Sequence, residues 1–343
     1  MVDLNPYLQT LLSRIPGLAL RRPRLPEDYP LLTEIINLSS AADEVEEFLT
    51  VEEVTNEYEH LPNCDLSTDM LVAELEGRPV AFTRVWWRED LEGNRQLWHL
   101  ASTRAEARRR GLGRLFLAWN EARLREIHAA LEPVSRPGAG AFFQAFILGK
   151  STGACRLLEG AGYTAARHFY FMQRPGLEEL PPATLPEGLE FRPVRPEHLP
   201  AVWETKEEAF RDHWGYAPKT RADYEAWEQD PNNDLGLWVA AWEGERIAGI
   251  TLNSIYPEDN ARYGFLRGMI NTVGVRRDYR KRGLGRALLV ESMRLLRARG
   301  MTEAALGVDT GSETGALRLY ESVGFRVLER DVVYRKGLEA QGG

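Results

Sequence analysis

Cysteine is nearly missing from this 343-residue chain: Cys64 and Cys155 are the only two. They allow at most one bridge, so neither a disulfide framework nor a thiolate metal site is expected. Histidine is almost as scarce, with six in all, and no His-x-x-x-His or Cys-x-x-Cys spacing occurs, so no metal is expected either. No Cys/His or Ser/His/Asp arrangement for nucleophilic catalysis is legible. No apolar run approaches the roughly 20 residues of a membrane span. The first twenty residues carry Arg14 and Pro16 among their leucines and lack the basic start and small-residue cleavage site of a leader. A surplus of positive charge is also missing: 43 Lys and Arg face 51 Asp and Glu, a formal net charge of −8. That argues against a general nucleic-acid binder while leaving room for local basic patches. These absences lead to the expectation of a cytoplasmic protein, monomer or homodimer, with neither a nucleic acid nor a membrane as partner.

What is present centres on Asn271 to Arg286, NTVGVRRDYRKRGLGR. Thr272, Val273 and Val275 predict a strand. Arg280-Lys281-Arg282-Gly283-Leu284-Gly285-Arg286 predicts a glycine turn, and Leu288, Leu289, Ser292 and Leu296 recur at helical spacing until Gly300. A helix start offers unpaired N–H groups and a partial positive charge, and glycines let an oxygen approach the backbone, so this layout suits a pyrophosphate. Neither familiar nucleotide fingerprint fits. Leu288 stands where the dinucleotide pattern wants a small residue, and no Gly-Lys-Ser/Thr follows. The stretch nevertheless occurs twice. Thr103 to Arg114 reads TRAEARRRGLGR, with Arg108, Gly111 and Gly113 standing where Arg280, Gly283 and Gly285 stand later.

The repeat extends far beyond the turn, at an offset near 170 residues. Hairpins predicted around Glu76-Gly77 and Glu243-Gly244 precede the two turns, and strand, short helix and last strand follow each. The reading is a lead-in helix over 1–17, a first domain over 18–176, a Pro-rich linker over 177–186 and a second domain over 187–343. The first copy is longer after its turn, with PGAG inserted at Pro137–Gly140. The order predicts an α/β class with a mixed sheet in each domain.

Each copy resembles a GCN5-related N-acetyltransferase (GNAT) domain, and the tandem layout is similar to that of mycothiol synthase and its relatives. The Arg-x-x-Gly-x-Gly turn and the later Leu-Tyr pair of ETGALRLYESVGF, Glu313–Phe325, carry the resemblance. It implies acetyl-CoA as co-substrate, held along the backbone of Val273, Gly274 and Val275, with the amides from Arg280 to Arg286 around its pyrophosphate. It also implies Tyr320 as the general acid beside the sulfur. Counting four back from Gly162, as Tyr320 is four back from Gly324, the first copy offers Leu158. A leucine has no proton to give, so that copy is expected to bind or scaffold, not to catalyse. Met269 stands where mycothiol synthase has a glutamate, so the base is sought in AFRDHWGYAP: Asp212 and His213, with Trp214 lining an acceptor pocket, and Glu204 and Glu207 as weaker candidates. The implied activity is direct acetyl transfer to a primary amine of a small molecule. Two alternatives stay open: a non-catalytic acyl-CoA-binding module, and an acetyltransferase acting on a protein N-terminus or lysine.

Overall fold

The structure, a computed structural model, describes residues 4–133, 136, 138–312 and 315–338. Residues 1–3 of the lead-in helix, Pro137 of the inserted PGAG, and Glu313 and Thr314 ahead of the Leu-Tyr pair lie outside the described residues. The chain forms two compact units. One takes residues up to 166 and from 332 onward, the other residues 167–331.

In chain order the first copy supplies α1 (Pro6–Ser13), β1 (Leu18–Arg21), α2 (Tyr29–Ala42), α3 (Val51–Glu59), α4 (Leu66–Asp69), β2 (Met70–Leu75), β3 (Arg78–Glu89), β4 (Arg95–Thr103), α5 (Leu112–Ala130), β5 (Ala141–Ile147), α6 (Thr152–Gly160) and β6 (Thr164–Pro175). The second supplies β7 (Glu190–Arg192), α7 (Leu199–Phe210), α8 (Arg221–Glu228), β8 (Val239–Glu243), β9 (Arg246–Ile255), α9 (Pro257–Tyr263), β10 (Arg267–Val275), α10 (Leu284–Ala298), β11 (Glu303–Asp309), α11 (Ala316–Ser322) and β12 (Arg326–Gly337).

The first unit's sheet runs β1-β2-β3-β4-β5-β12 and is antiparallel except for the parallel β4/β5 pair. Alternation along β2 sends Leu71 and Ala73 into the core with α5, and Met70 and Val72 into the core with α2 and α3. The second unit's sheet runs β6-β11-β10-β9-β8-β7, again with one parallel pair, β10/β11. Leu289, Met293 and Leu296 of α10 pack into its main core with Ile270, Leu306 and Phe325.

Each parallel ladder is short. In the second unit it runs from Arg267↔Glu303 to Met269↔Ala305, while the strands continue to Val275 and Asp309. In the first it runs from Arg95↔Ala141 to Trp98↔Gln144. The strands therefore part into a wedge, and backbone groups along it are left for another partner.

The expected boundaries at 176 and 187 differ from the observed division at 166/167 and 331/332. Residues 169–175 of β6 pair with β11, and 332–337 of β12 pair with β5, so the later part of each copy's last strand belongs to the other copy's unit. Side chains specify these partners. Arg167 binds Asp309 through two hydrogen bonds of 2.6 and 2.9 Å and Gln173 donates to Glu303 at 2.6 Å, while Arg335 donates to Gln144 and Lys336 to Glu121. Nor is 177–186 a free linker. Leu177 is fully buried, Arg297 donates to the carbonyls of Leu177 and Glu178, and Arg286 donates to that of Pro182.

Candidate active site

Between β10 and α10 the chain passes through a short 3-10 turn, Arg277–Tyr279, and then through Arg280 to Gly283. Lys281 at φ +60° and Gly283 at φ +86° are both left-handed, so successive backbone N–H groups converge ahead of the first turn of α10. The first unit repeats this conformation: Arg109 has φ +62° and Gly111 φ +103° ahead of α5. The two glycines of each turn serve different ends. A Cβ on Gly283 would meet nothing within 4 Å, so its role is conformational; a Cβ on Gly285 would lie 3.1 Å from Leu319, so the second glycine lets α10 approach α11. Gly113 stands in the same relation to Leu157, at 2.9 Å.

The cations of the turn divide by what they touch. Arg280 points back into the protein and donates to the carbonyls of Val275 (3.1 Å) and Ala209 (3.0 Å) and to Asp212 (3.1 Å). Arg108 makes the matching set with the Thr103 and Ser39 carbonyls and Asp43. Arg286 donates to the Pro182 carbonyl and to Ser322. These arginines shape the cradle. Lys281 and Arg282 are exposed, Arg282 lying 5.4 Å over the Tyr279 ring. They are the side chains best placed to meet an anion there.

α11 carries Tyr320, and Gly324 at φ +95° ends the helix with Phe325 N–H bonded to the Tyr320 carbonyl at 3.0 Å. Tyr320 is 7% exposed, and its hydroxyl has no hydrogen-bond partner among the described residues. Burial alone pushes its pKa up to about 12. In the first unit Leu158 occupies the same helix end, with Tyr163 N–H bonded to its carbonyl at 3.0 Å and Gly162 at φ +86°. Leu158 is buried in the core, and the hydroxyl of Tyr163 is taken by His99 at 3.1 Å.

A residue that sequence reasoning passed over is Asn271. The β9/β10 register slips between Ile270 and Thr272, which makes Asn271 a one-residue bulge on the strand that lines the wedge. Bulges re-aim side chains. The Asn271 amide nitrogen donates to the Ser254 hydroxyl at 3.0 Å and to the Tyr256 hydroxyl at 3.3 Å, and the residue is exposed. β3 and β4 pair without a slip. Counted from the turns, Arg84 and Trp86 hold the register positions of Leu252 and Ser254. There the Arg84 guanidinium is sandwiched 4.5 Å from Tyr58 and 4.9 Å from Trp86, and Trp86 stacks on Trp98 at 5.9 Å. Where the second unit has Leu252 and Ser254, the first has a guanidinium and a ring, stacked with further rings.

The candidate bases separate. Asp212 is paired with Arg277 and Arg280, which hold its carboxyl below the usual range, and it ties the end of α7 to the turn. His213 follows it, its ring 4.4 Å from that of Phe210, with burial lowering its pKa so that it is neutral at pH 7. Asp309 and Arg167 also act on His213 electrostatically, and Arg167 lies over Trp214 at 5.6 Å. Glu204 pairs with Arg276, and Glu207 accepts from Tyr216 at 2.7 Å. The Arg167–Asp309 pair was not legible beforehand, because the pairing of β6 with β11 is not written in either copy's own pattern.

Residues 199–325 match the acetyltransferase (GNAT) family. Among curated proteins, a mycothiol acetyltransferase of Thermobispora bispora is 34% identical over 184 residues, 53% of this chain and 62% of that protein. The chain thus spans less than two thirds of that relative's length. A second, from Saccharopolyspora erythraea, is 31% identical over 66% of this chain and 72% of its own length. Among solved structures, a GCN5-related N-acetyltransferase from Sphaerobacter thermophilus superposes with a TM-score of 0.67 at 30% identity, covering 95% of this chain and 97% of that one. A tandem GNAT protein from the clavulanic acid biosynthesis pathway gives a TM-score of 0.65 at 14% identity over 95% of this chain and 100% of its own, a likeness of fold alone.

Proposed function

The chain belongs to the GNAT family of acetyltransferases, and from that premise we propose that it transfers an acetyl group from acetyl-CoA directly to a primary amine of a small molecule, in its second unit. The observation that carries this reading is the hydroxyl of Tyr320, without a hydrogen-bond partner among the described residues, on a helix packed against Gly285 of the open turn. The first unit has Leu158 at that place and a stack of Arg84, Trp86 and Trp98.

The turn amides from Arg280 to Arg286 hold the pyrophosphate, with Lys281 and Arg282 adding charge. The backbone of Val273, Gly274 and Val275 holds the pantetheine arm as an added strand in the wedge beside β11. The bound thioester supplies the acetyl group and a thiolate leaving group. Asn271, its amide nitrogen held by Ser254 and Tyr256, offers its carbonyl oxygen to the incoming amine. His213, neutral at pH 7, takes the proton the amine loses. Tyr320 then serves the departing sulfur. With a pKa near 12 its hydroxyl is protonated throughout the physiological range. Full transfer to a thiolate whose parent thiol is near 8.5 is uphill, so its help is a hydrogen bond and partial proton donation in the transition state. Asp212 supports the turn through Arg277 and Arg280.

The test follows free-thiol release from acetyl-CoA with a panel of small amines, in parallel with basic peptides. The parent chain is expected to turn over a small amine, and Tyr320→Phe to lose about 10²–10⁴-fold in kcat with little change in the acetyl-CoA KM. Tight coenzyme binding with no turnover on any amine or peptide would favour a binding module. Turnover on peptides alone would move the acceptor to a protein.

A further inference from the structure

We propose that the first unit holds a binding site for a phosphorylated small molecule in the groove between α1, α5 and α6, which shares only Arg114, at the helix end, with its glycine turn. The groove has a volume of about 1310 Å³, and Arg108, Gly111 and Gly113 do not line it. That is ample for a ligand of nucleotide size. Its lining holds five cationic side chains, Arg14, Arg114, Arg125, Arg156 and Lys336, against the carboxylates of Glu121 and Glu126. In a chain with a formal net charge of −8 this is a local reversal of sign.

The cations fall into two groups. Arg125 and Lys336 are satisfied from within: Lys336 donates to one oxygen of Glu121 at 2.9 Å and Arg125 to the other at 3.1 Å. The remaining three sit on three different helical segments, the end of α1, the first turn of α5 and the middle of α6. Among the described residues the guanidinium groups of Arg14, Arg114 and Arg156 have neither ion pair nor hydrogen bond. Three mutually repelling, exposed guanidiniums around one groove are relieved by a multivalent anion. The guanidinium fork favours phosphate oxygens in particular.

The second unit repeats two of these cations, Arg286 for Arg114 and Arg318 for Arg156, but the first of them is not free there. Arg286, the counterpart of Arg114 in the first turn of its helix, is held by the Pro182 carbonyl and by Ser322, and the buried Leu177 begins the segment that lies there. The groove thus belongs to the unit that has lost the tyrosine, and its use does not depend on acetyl transfer.

The experiment is calorimetry on the full chain with ADP, inorganic pyrophosphate and coenzyme A as separate titrants. The parent is set beside Arg114→Ala/Arg156→Ala and Arg114→Lys/Arg156→Lys, and each is checked for an unchanged melting temperature without ligand. ADP or pyrophosphate is expected to bind, more weakly as salt rises, with the double alanine variant weakened about tenfold or more and the lysine variant in between. ADP binding without pyrophosphate binding identifies a nucleotide, and binding of both identifies the diphosphate as the element recognised. No binding of either, equal binding by the alanine variant, or binding confined to coenzyme A overturns the proposal.

Discussion

At the scale of single residues, the second unit is distinguished by groups left available. Tyr320 and Asn271 each present a polar atom without a described partner, while their surroundings in the first unit are filled: Leu158 lies in core, and Trp86, Trp98 and Arg84 form a stack. If His213 is the base, the acid side of the rate profile reports its titration. Burial lowers its pKa below the ordinary 6.5, so kcat/KM is expected to be flat at neutral pH and to fall on acidification through a pKa below 6.5. Tyr320, near 12, adds no alkaline fall in the usual range. In a pH series His213→Gln should lower the plateau and erase the acid limb; a limb that survives would remove His213 from the role. Asn271→Ala should raise the acceptor KM by about tenfold, the loss of one hydrogen bond to a charged or polar amine, and leave the acetyl-CoA KM alone. Steady-state kinetics with each substrate varied in turn decides this.

At the scale of elements, the doubled turn shows how one short stretch of chain couples two helices. Gly283 supplies a left-handed residue and Gly285 supplies clearance, and the clearance is toward Leu319, the neighbour of Tyr320 on α11. The positions of the glycine turn and of Tyr320 are therefore linked by this contact, together with the Arg286–Ser322 hydrogen bond. Gly285→Val should push α11 away, because its Cβ alone already lies 3.1 Å from Leu319. The expected result is a rise in acetyl-CoA KM together with a fall in kcat. Leu319→Ala in the same chain should restore part of both by making room, and a double-mutant cycle measures the coupling.

At the scale of the whole molecule, the copies read along the sequence are not the units that fold. A fragment cut at the expected boundary, 187–343, would lack residues 169–175 that pair with β11 and the buried Leu177. It would also carry residues 332–337, whose partner β5 lies in the other unit. Such a fragment is expected to show no cooperative thermal unfolding by circular dichroism, whereas the full chain does. A sharp transition for 187–343 at the full chain's midpoint would mean that the exchanged strand adds nothing to the stability of the second unit.

Much of this was legible from local pattern. Gly283 and its counterpart Gly111 adopt the left-handed conformation that glycine takes readily before a helix, whereas the left-handed Lys281 and Arg109 were not legible, and the period of apolar residues placed α10 and α11 correctly. The Leu158/Tyr320 contrast also came from counting alone, since both sit four before a helix-ending glycine. The bulge at Asn271, the clearance between Gly285 and Leu319, the anchoring of Asp212 by Arg277 and Arg280, and the Arg167–Asp309 pair were not legible. Each is a relation between segments far apart in the chain. Local order follows from backbone sterics and periodicity, which a sequence displays directly. Which strand completes which sheet, and which side chain is left without a partner, depends on long-range pairing free energies that only the assembled tertiary structure brings together.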